Sequence, residues 1–183
     1  DAVSGSAVSG VSISIRRGLN ITSGTAYTTA VTTSSGAYSL SNVDRGWYTV
    51  QTSKTGYSDS TFHVVSCGNV SSQDSAISTT LTSGNMRVAL SWPTGSTAVD
   101  IDSHLQIPDN ADSYKHIYYP TANNIFYYET NNNSCGSCTS SQLSDNVTLD
   151  RDEQSSPGIE TISVTTVRAG NYSYSVHDYT NRG

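Results

Sequence analysis

Apolar and polar residues alternate with a period of two along much of this chain. Val11, Ile13 and Ile15 alternate with Ser12, Ser14 and Arg16. Met86, Val88, Leu90 and Trp92 alternate with Arg87, Ala89 and Ser91, and Tyr172, Tyr174 and Val176 with Asn171, Ser173 and Ser175. Successive side chains of a strand point to opposite faces, so each run predicts a strand with one buried face. Gly, Ser and Asn interrupt these runs at short intervals, the spacing of sandwiches and barrels. Leu143 to Glu153 is the one stretch with helical spacing, Leu143 and Val147 lying four apart. The β-branched Val147 and Thr148 argue against a helix there. The expected class is all-β, as two tandem antiparallel β-sandwich domains. Their boundary is expected near Thr82-Ser-Gly84-Asn85, giving domains 1–83 and 84–183. A link this short implies close packing of the two.

The densest chemistry lies between Asp100 and Tyr179. Asp100-Ile-Asp102-Ser-His104-Leu is followed by Leu149-Asp150-Arg-Asp152, then Pro157-Gly-Ile-Glu160, then Gly170-Asn-Tyr-Ser-Tyr-Ser-Val-His177-Asp178-Tyr179. On a strand, Asp100, Asp102 and His104 project from one face and Val99, Ile101 and Leu105 from the other. Asp150 and Asp152 form a second such pair. Clustered carboxylates repel unless a cation joins them, and Ca²⁺ takes about six to eight oxygen ligands. The candidate metal ligands are therefore Asp100, Asp102, Asp150 and Asp152, with Glu160 as a further one. Two other readings stay open. The acids can cap turns, accept from Tyr and Ser hydroxyls and pair with Arg151 and Arg168, or His104 and His177 can serve zinc.

Composition narrows the setting. Ser and Thr make up about 30% of the 183 residues, whereas only 13% are charged, and twelve Tyr stand against two Phe. That balance suits β-strands outside the cell, with rings buried and hydroxyls reaching water. A net charge of −6 provides no basic patch for nucleic acid. No run of about 18 apolar residues is present, so no membrane span is expected. The first residues lack a charged and then apolar leader, which suggests a mature or trimmed chain.

Cys135-Gly-Ser-Cys138 sits in an Asn/Ser/Gly-rich stretch where a tight disulfide is the leading expectation, with a zinc half-site or free thiols as alternatives. Cys67 then has no evident partner. Sequons begin at Asn20, Asn69, Asn132, Asn146 and Asn171, a number that abundant Asn, Ser and Thr produce by chance. They become glycosylation candidates in a eukaryotic chain. No Gly-x-Ser-x-Gly elbow or His-Glu-x-x-His helix occurs, and no catalytic residue is assigned.

Two resemblances add to this reading. Asp1 to Ile15, Thr32-Thr-Ser-Ser-Gly36-Ala-Tyr38, Val43-Asp-Arg-Gly46-Trp-Tyr48 and Lys54-Thr-Gly56-Tyr57 make the first half similar to carboxypeptidase regulatory-like domains, the transthyretin-like or Cna-B-like sandwich. Gly36 and Gly46 are expected to begin strands after turns, where positive φ is useful. The resemblance implies a non-catalytic module. The segments from Asp100 to Tyr179, with His116-Ile-Tyr-Tyr, make the second half resemble the YfaP-like β-domain family, whose function is not established. It implies an Ig-like or prealbumin-like fold rather than an activity.

Against both families an outer strand is absent at a terminus, and unpaired edges are normally covered or paired. The chain is thus expected to be a fragment or repeat of a longer protein, or a subunit that shares strands head to tail with copies of itself. The expected role is structural, in an extracellular fibre or surface coat. The alternative is a carbohydrate- or protein-binding module, Ca²⁺-dependent or not, attached to a larger secreted protein.

Overall fold

A computed structural model describes residues 1–92, 100–108, 114–117, 126–127 and 147–179, the two shortest of these segments by their backbone. Among the described residues the protein is all-β, without a helix, and every strand pairing is antiparallel. Two compact units divide the chain, Asp1–Thr80 and Leu81–Gly183. The first contains β1 (Ser12–Arg17), β2 (Thr28–Val31), β3 (Gly46–Ser53) and β4 (Ser60–Ser66). The second contains β5 (Met86–Trp92), β6 (Ile101–Pro108), β7 (Tyr114–Ile117), β8 (Phe126–Tyr127), β9 (Val147–Arg151), β10 (Gly158–Val164) and β11 (Ser173–Asp178).

The first unit is one sheet in the order β2-β1-β3-β4. Its core face carries Ile13 and Ile15 of β1 with Tyr48 and Val50 of β3, all nearly inaccessible. Burying each such side chain contributes about 1.5–3 kcal/mol. The opposite layer comes from segments outside the strands, which supply Val8, Tyr38, Leu40, Val43, Tyr57 and Ile77. Their polar groups are tied down locally. Tyr38 donates its hydroxyl to Gln73 O at 2.5 Å, Tyr48 donates to Asp44 O at 2.9 Å, and Ala2 N–H donates to Ile77 O at 2.8 Å.

Gly36 lies in a turn at φ 76°, and a Cβ there would stand 3.2 Å from that of Ala7. The residues after it carry Tyr38 and Leu40 to the core without forming a strand, unlike Gly46, which opens β3. Close packing across the turn, rather than strand entry, explains the glycine at position 36.

Among its described residues the second unit has two sheets, β5-β10-β9 and β11-β6-β7-β8. One apolar cluster joins them: Leu105 and Ile107 from β6, Val147 and Leu149 from β9, and Ile162 and Val164 from β10. Val147–Arg151, the stretch with ambiguous helical spacing, is strand β9, as its β-branched residues favour. The alternation in β11 gives a strand but not the expected buried face: Tyr174 and Val176 are 40% and 51% exposed. Among the described residues β11 is the end strand of its sheet, with no second neighbour to help cover those side chains.

Candidate functional site

The β6–β11 ladder places His177 directly opposite Asp102, and Ser175 opposite His104. Cross-strand partners and residues two apart share a face, so Asp102, His104 and His177 converge. The two imidazoles meet edge to face at 5.8 Å between centroids, and His177 Nδ1 lies 3.4 Å from Asp102 Oδ2. Asp102 is only 2% exposed. A second grouping shares it: ligand-type atoms of Asp100, Asp102 and Asp152 all lie within 4.8 Å of one another, as do those of Asp102, His104 and His177.

Asp152 joins this grouping because β9 is irregular. Val164, Ser163 and Ile162 pair with Val147, Thr148 and Leu149, but Thr161 pairs with Arg151, leaving Asp150 as an extra residue. Such a bulge re-aims the side chains around it. Asp152, just beyond β9, reaches Asp100 and Asp102, while Asp150 accepts a 2.6 Å bond from the Thr148 hydroxyl. The two acids read as an Asp-x-Asp pair therefore part company. Arg151 pairs with Glu153.

Glu160 enters from β10. Its Oε2 accepts the Ser103 backbone N–H at 2.5 Å, and its carboxyl faces Asp152 and Asp102. Burial, followed by those acidic neighbours, lifts its pKa from the ordinary 4.5 to about 8 against the Ser103 hydrogen bonds. Asp100 and Asp102 are also pushed upward, chiefly by desolvation. Asp152 and Asp178 add to the effect on Asp100. For Asp102, His177 opposes the shift. An ionised carboxylate out of water is costly unless positive charge or hydrogen bonds replace its hydration.

Asp100 Oδ1, Asp102 Oδ1, Asp152 Oδ1 and Glu160 Oε1 are buried atoms without a hydrogen-bond partner among the described residues. Asp150 Oδ2 is buried and unpartnered as well, but its Oδ1 accepts from Thr148 and it belongs to neither close grouping, so four of the five expected acidic ligands come together without it. The acidic pattern by itself points neither to the Ser103 N–H nor to the place of His177 beside Asp102. A strand register could have revealed the latter, since His177 and Asp102 pair across the ladder.

The remaining expected sites are separate. Asn20, Asn69 and Asn171 are exposed, and Cys67 is free and exposed. Cys135, Cys138, Asn132 and Asn146 lie outside the described residues, as does Val99. Among the described residues no helix is long and apolar enough to cross a membrane. Compared with known proteins, the chain matches no family model, no curated protein and no solved structure.

Proposed function

We propose that this chain is a non-catalytic structural protein of the cell exterior, built as two tandem β-sandwiches and joined to further copies by strand addition. The observation that carries this reading is β11. It hydrogen-bonds to β6 along one edge, stands at the end of its sheet among the described residues, and exposes five of its six residues, including Tyr174 and Val176. A flat edge with apolar side chains is a template for another strand. A second copy is the partner that a repeating surface structure requires, and a contact that does not close into a ring extends as a filament. The Ser/Thr-rich, weakly charged composition and the exposed sequons agree with an extracellular setting. The resemblance of the first half to regulatory-like domains supports the same non-catalytic class.

Negative-stain microscopy and concentration-dependent size analysis test the proposal. Wild-type protein should form ladders of oligomers or filaments, and Val176→Lys, a charge on the exposed edge, should shift it toward monomer. A wild-type chain that stays monomeric at millimolar concentration rules the reading out.

A second reading, a glycan- or protein-binding module, is favoured by one observation in the first unit. Trp47 is 56% exposed and pairs across β3 and β4 with Val65, itself 40% exposed. An open indole beside an aliphatic side chain suits the apolar face of a sugar ring or a partner's side chain. A panel of glycans read by tryptophan fluorescence, with Trp47→Ala as control, decides this alternative.

A further inference from the structure

We propose that Asp100, Asp102 and Asp152, with Glu160 adjoining them, form the binding site of one hard divalent cation of the Ca²⁺ type in the second unit. The site does not depend on strand addition, since a monomer would bind the ion equally well.

Asp102 and Glu160 are each held by one oxygen, which leaves the other over. Asp102 uses Oδ2 toward His177 and leaves Oδ1 without a partner among the described residues. Glu160 uses Oε2 to accept the Ser103 N–H and leaves Oε1 likewise. Asp100 Oδ1 and Asp152 Oδ1 are in the same condition. Asp100, Asp102 and Glu160 are more than nine-tenths buried, so these oxygens face protein rather than bulk water. Asp100, Asp102, Asp152 and Glu160 therefore each keep a buried acceptor oxygen for a further partner. A group that satisfies all of them must be positive and compact.

Size and donor type select the ion. Ca²⁺–oxygen distances of about 2.3–2.6 Å let two ligand atoms on opposite sides of the ion stand about 5 Å apart. The ligand atoms of Asp100, Asp102 and Asp152 lie close enough together to share one such ion, as do those of Asp102, His104 and His177, so donor type decides between the two sets. All-oxygen donors favour Ca²⁺ over zinc, which prefers nitrogen and sulfur. In this arrangement His177 is a positioning residue: it holds Asp102 by one oxygen and turns the other toward the ion. The bulge at Asp150 is the device that delivers Asp152, and it leaves Asp150 outside the site.

Calorimetric titration of the full chain, stripped with EDTA and then freed of chelator, tests the site using CaCl2 and, in parallel, ZnCl2. One Ca²⁺ per chain should bind and raise the melting temperature. Asp102→Asn and Glu160→Gln should each weaken binding by roughly tenfold or more, as losing a charged acid from a site does, and Asp150→Asn should leave it unchanged. Both Asp102→Asn and Glu160→Gln alter a buried carboxyl, and far-UV circular dichroism confirms that they fold. Should Asp102→Asn fail to fold, Glu160→Gln carries the comparison.

Absence of both heat and a melting shift with Ca²⁺ overturns the proposal, as does Ca²⁺ binding unaltered in Asp102→Asn or Glu160→Gln. Stoichiometric zinc binding in place of Ca²⁺, lost in His104→Ala, would overturn it in favour of the Asp102–His104–His177 grouping.

Discussion

Asp102, almost wholly buried, faces the largely exposed His177 across the β6–β11 ladder, with Oδ2 and Nδ1 3.4 Å apart. The histidine bridges solvent and a carboxylate that water barely reaches. Removing either partner leaves different damage, because an unpaired buried acceptor costs more than an unpaired surface donor. A double-mutant cycle with Asp102→Asn and His177→Ala, followed by urea unfolding, should show coupling of about 0.5–1 kcal/mol in chelated protein. Simple additivity would mean that the contact does not constrain Asp102.

The acidic cluster sets a pH dependence for the chelated protein. Glu160 holds its proton up to about 8 when folded but titrates near 4.5 when unfolded. The unfolded state therefore binds fewer protons between those values, and stability must fall as pH rises through that window. The upward shifts of Asp100 and Asp102 act in the same direction. Glu153, held below its ordinary value mainly by the Ser155 hydroxyl against partial desolvation, has the opposite sign, but its stability is lost only in acid below about 4.5. Melting temperatures in EDTA at pH 5, 6.5 and 8 should decline, and Glu160→Gln should flatten the decline. A rising curve would contradict the assignment of Glu160.

Packing around Gly158 predicts an intolerant position. A Cβ there would stand 1.9 Å from Cζ2 of Trp92 and 2.6 Å from Ser155 O. Trp92 is opposite Gly158 in the β5–β10 ladder and is itself buried, so the ring has little freedom to yield. Gly158→Ala should cost about 2–3 kcal/mol or abolish folding of the second unit. Gly56→Ala, where only positive φ opposes a side chain and no atom lies within 4 Å, should cost about 1 kcal/mol. Equal losses in urea titrations would show that crowding at Trp92 is not the constraint.

In the first unit Tyr48 is fully buried and its hydroxyl donates to Asp44 O. Tyr48→Phe keeps the ring and removes one donor, so it should cost about 1 kcal/mol. Tyr48→Ala also empties the core and should cost about 3–5 kcal/mol. Urea midpoints separate the two effects, and a neutral Tyr48→Phe would show that the hydroxyl contact adds nothing.

Cys67 should react with a maleimide in the native state, because its thiol is exposed and free. Cys67→Ser should remove one rapidly labelled site by mass spectrometry. Protection of Cys67 without denaturant would place it under another surface.

Strand content was legible from the alternation of Val11, Ile13 and Ile15 and of Met86, Val88, Leu90 and Trp92, because side-chain direction along a strand is a local property. The same alternation in β11 says nothing of whether a neighbouring strand covers Tyr174 and Val176; that depends on sheet order. The aspartates are likewise visible as letters. Their assembly needed a bulge that moves Asp152 away from Asp150 and a long-range approach of Glu160 to Ser103.

Local chemistry along the chain determined the all-β character and the stock of acidic residues that a cation site requires. Tertiary structure alone decided which acids meet, which of their oxygens the backbone and His177 occupy, and which described strand stands at the end of its sheet. The physical reason is that alternation acts between neighbours in sequence, whereas burial and charge–charge proximity act between residues as far apart as Asp102 and His177.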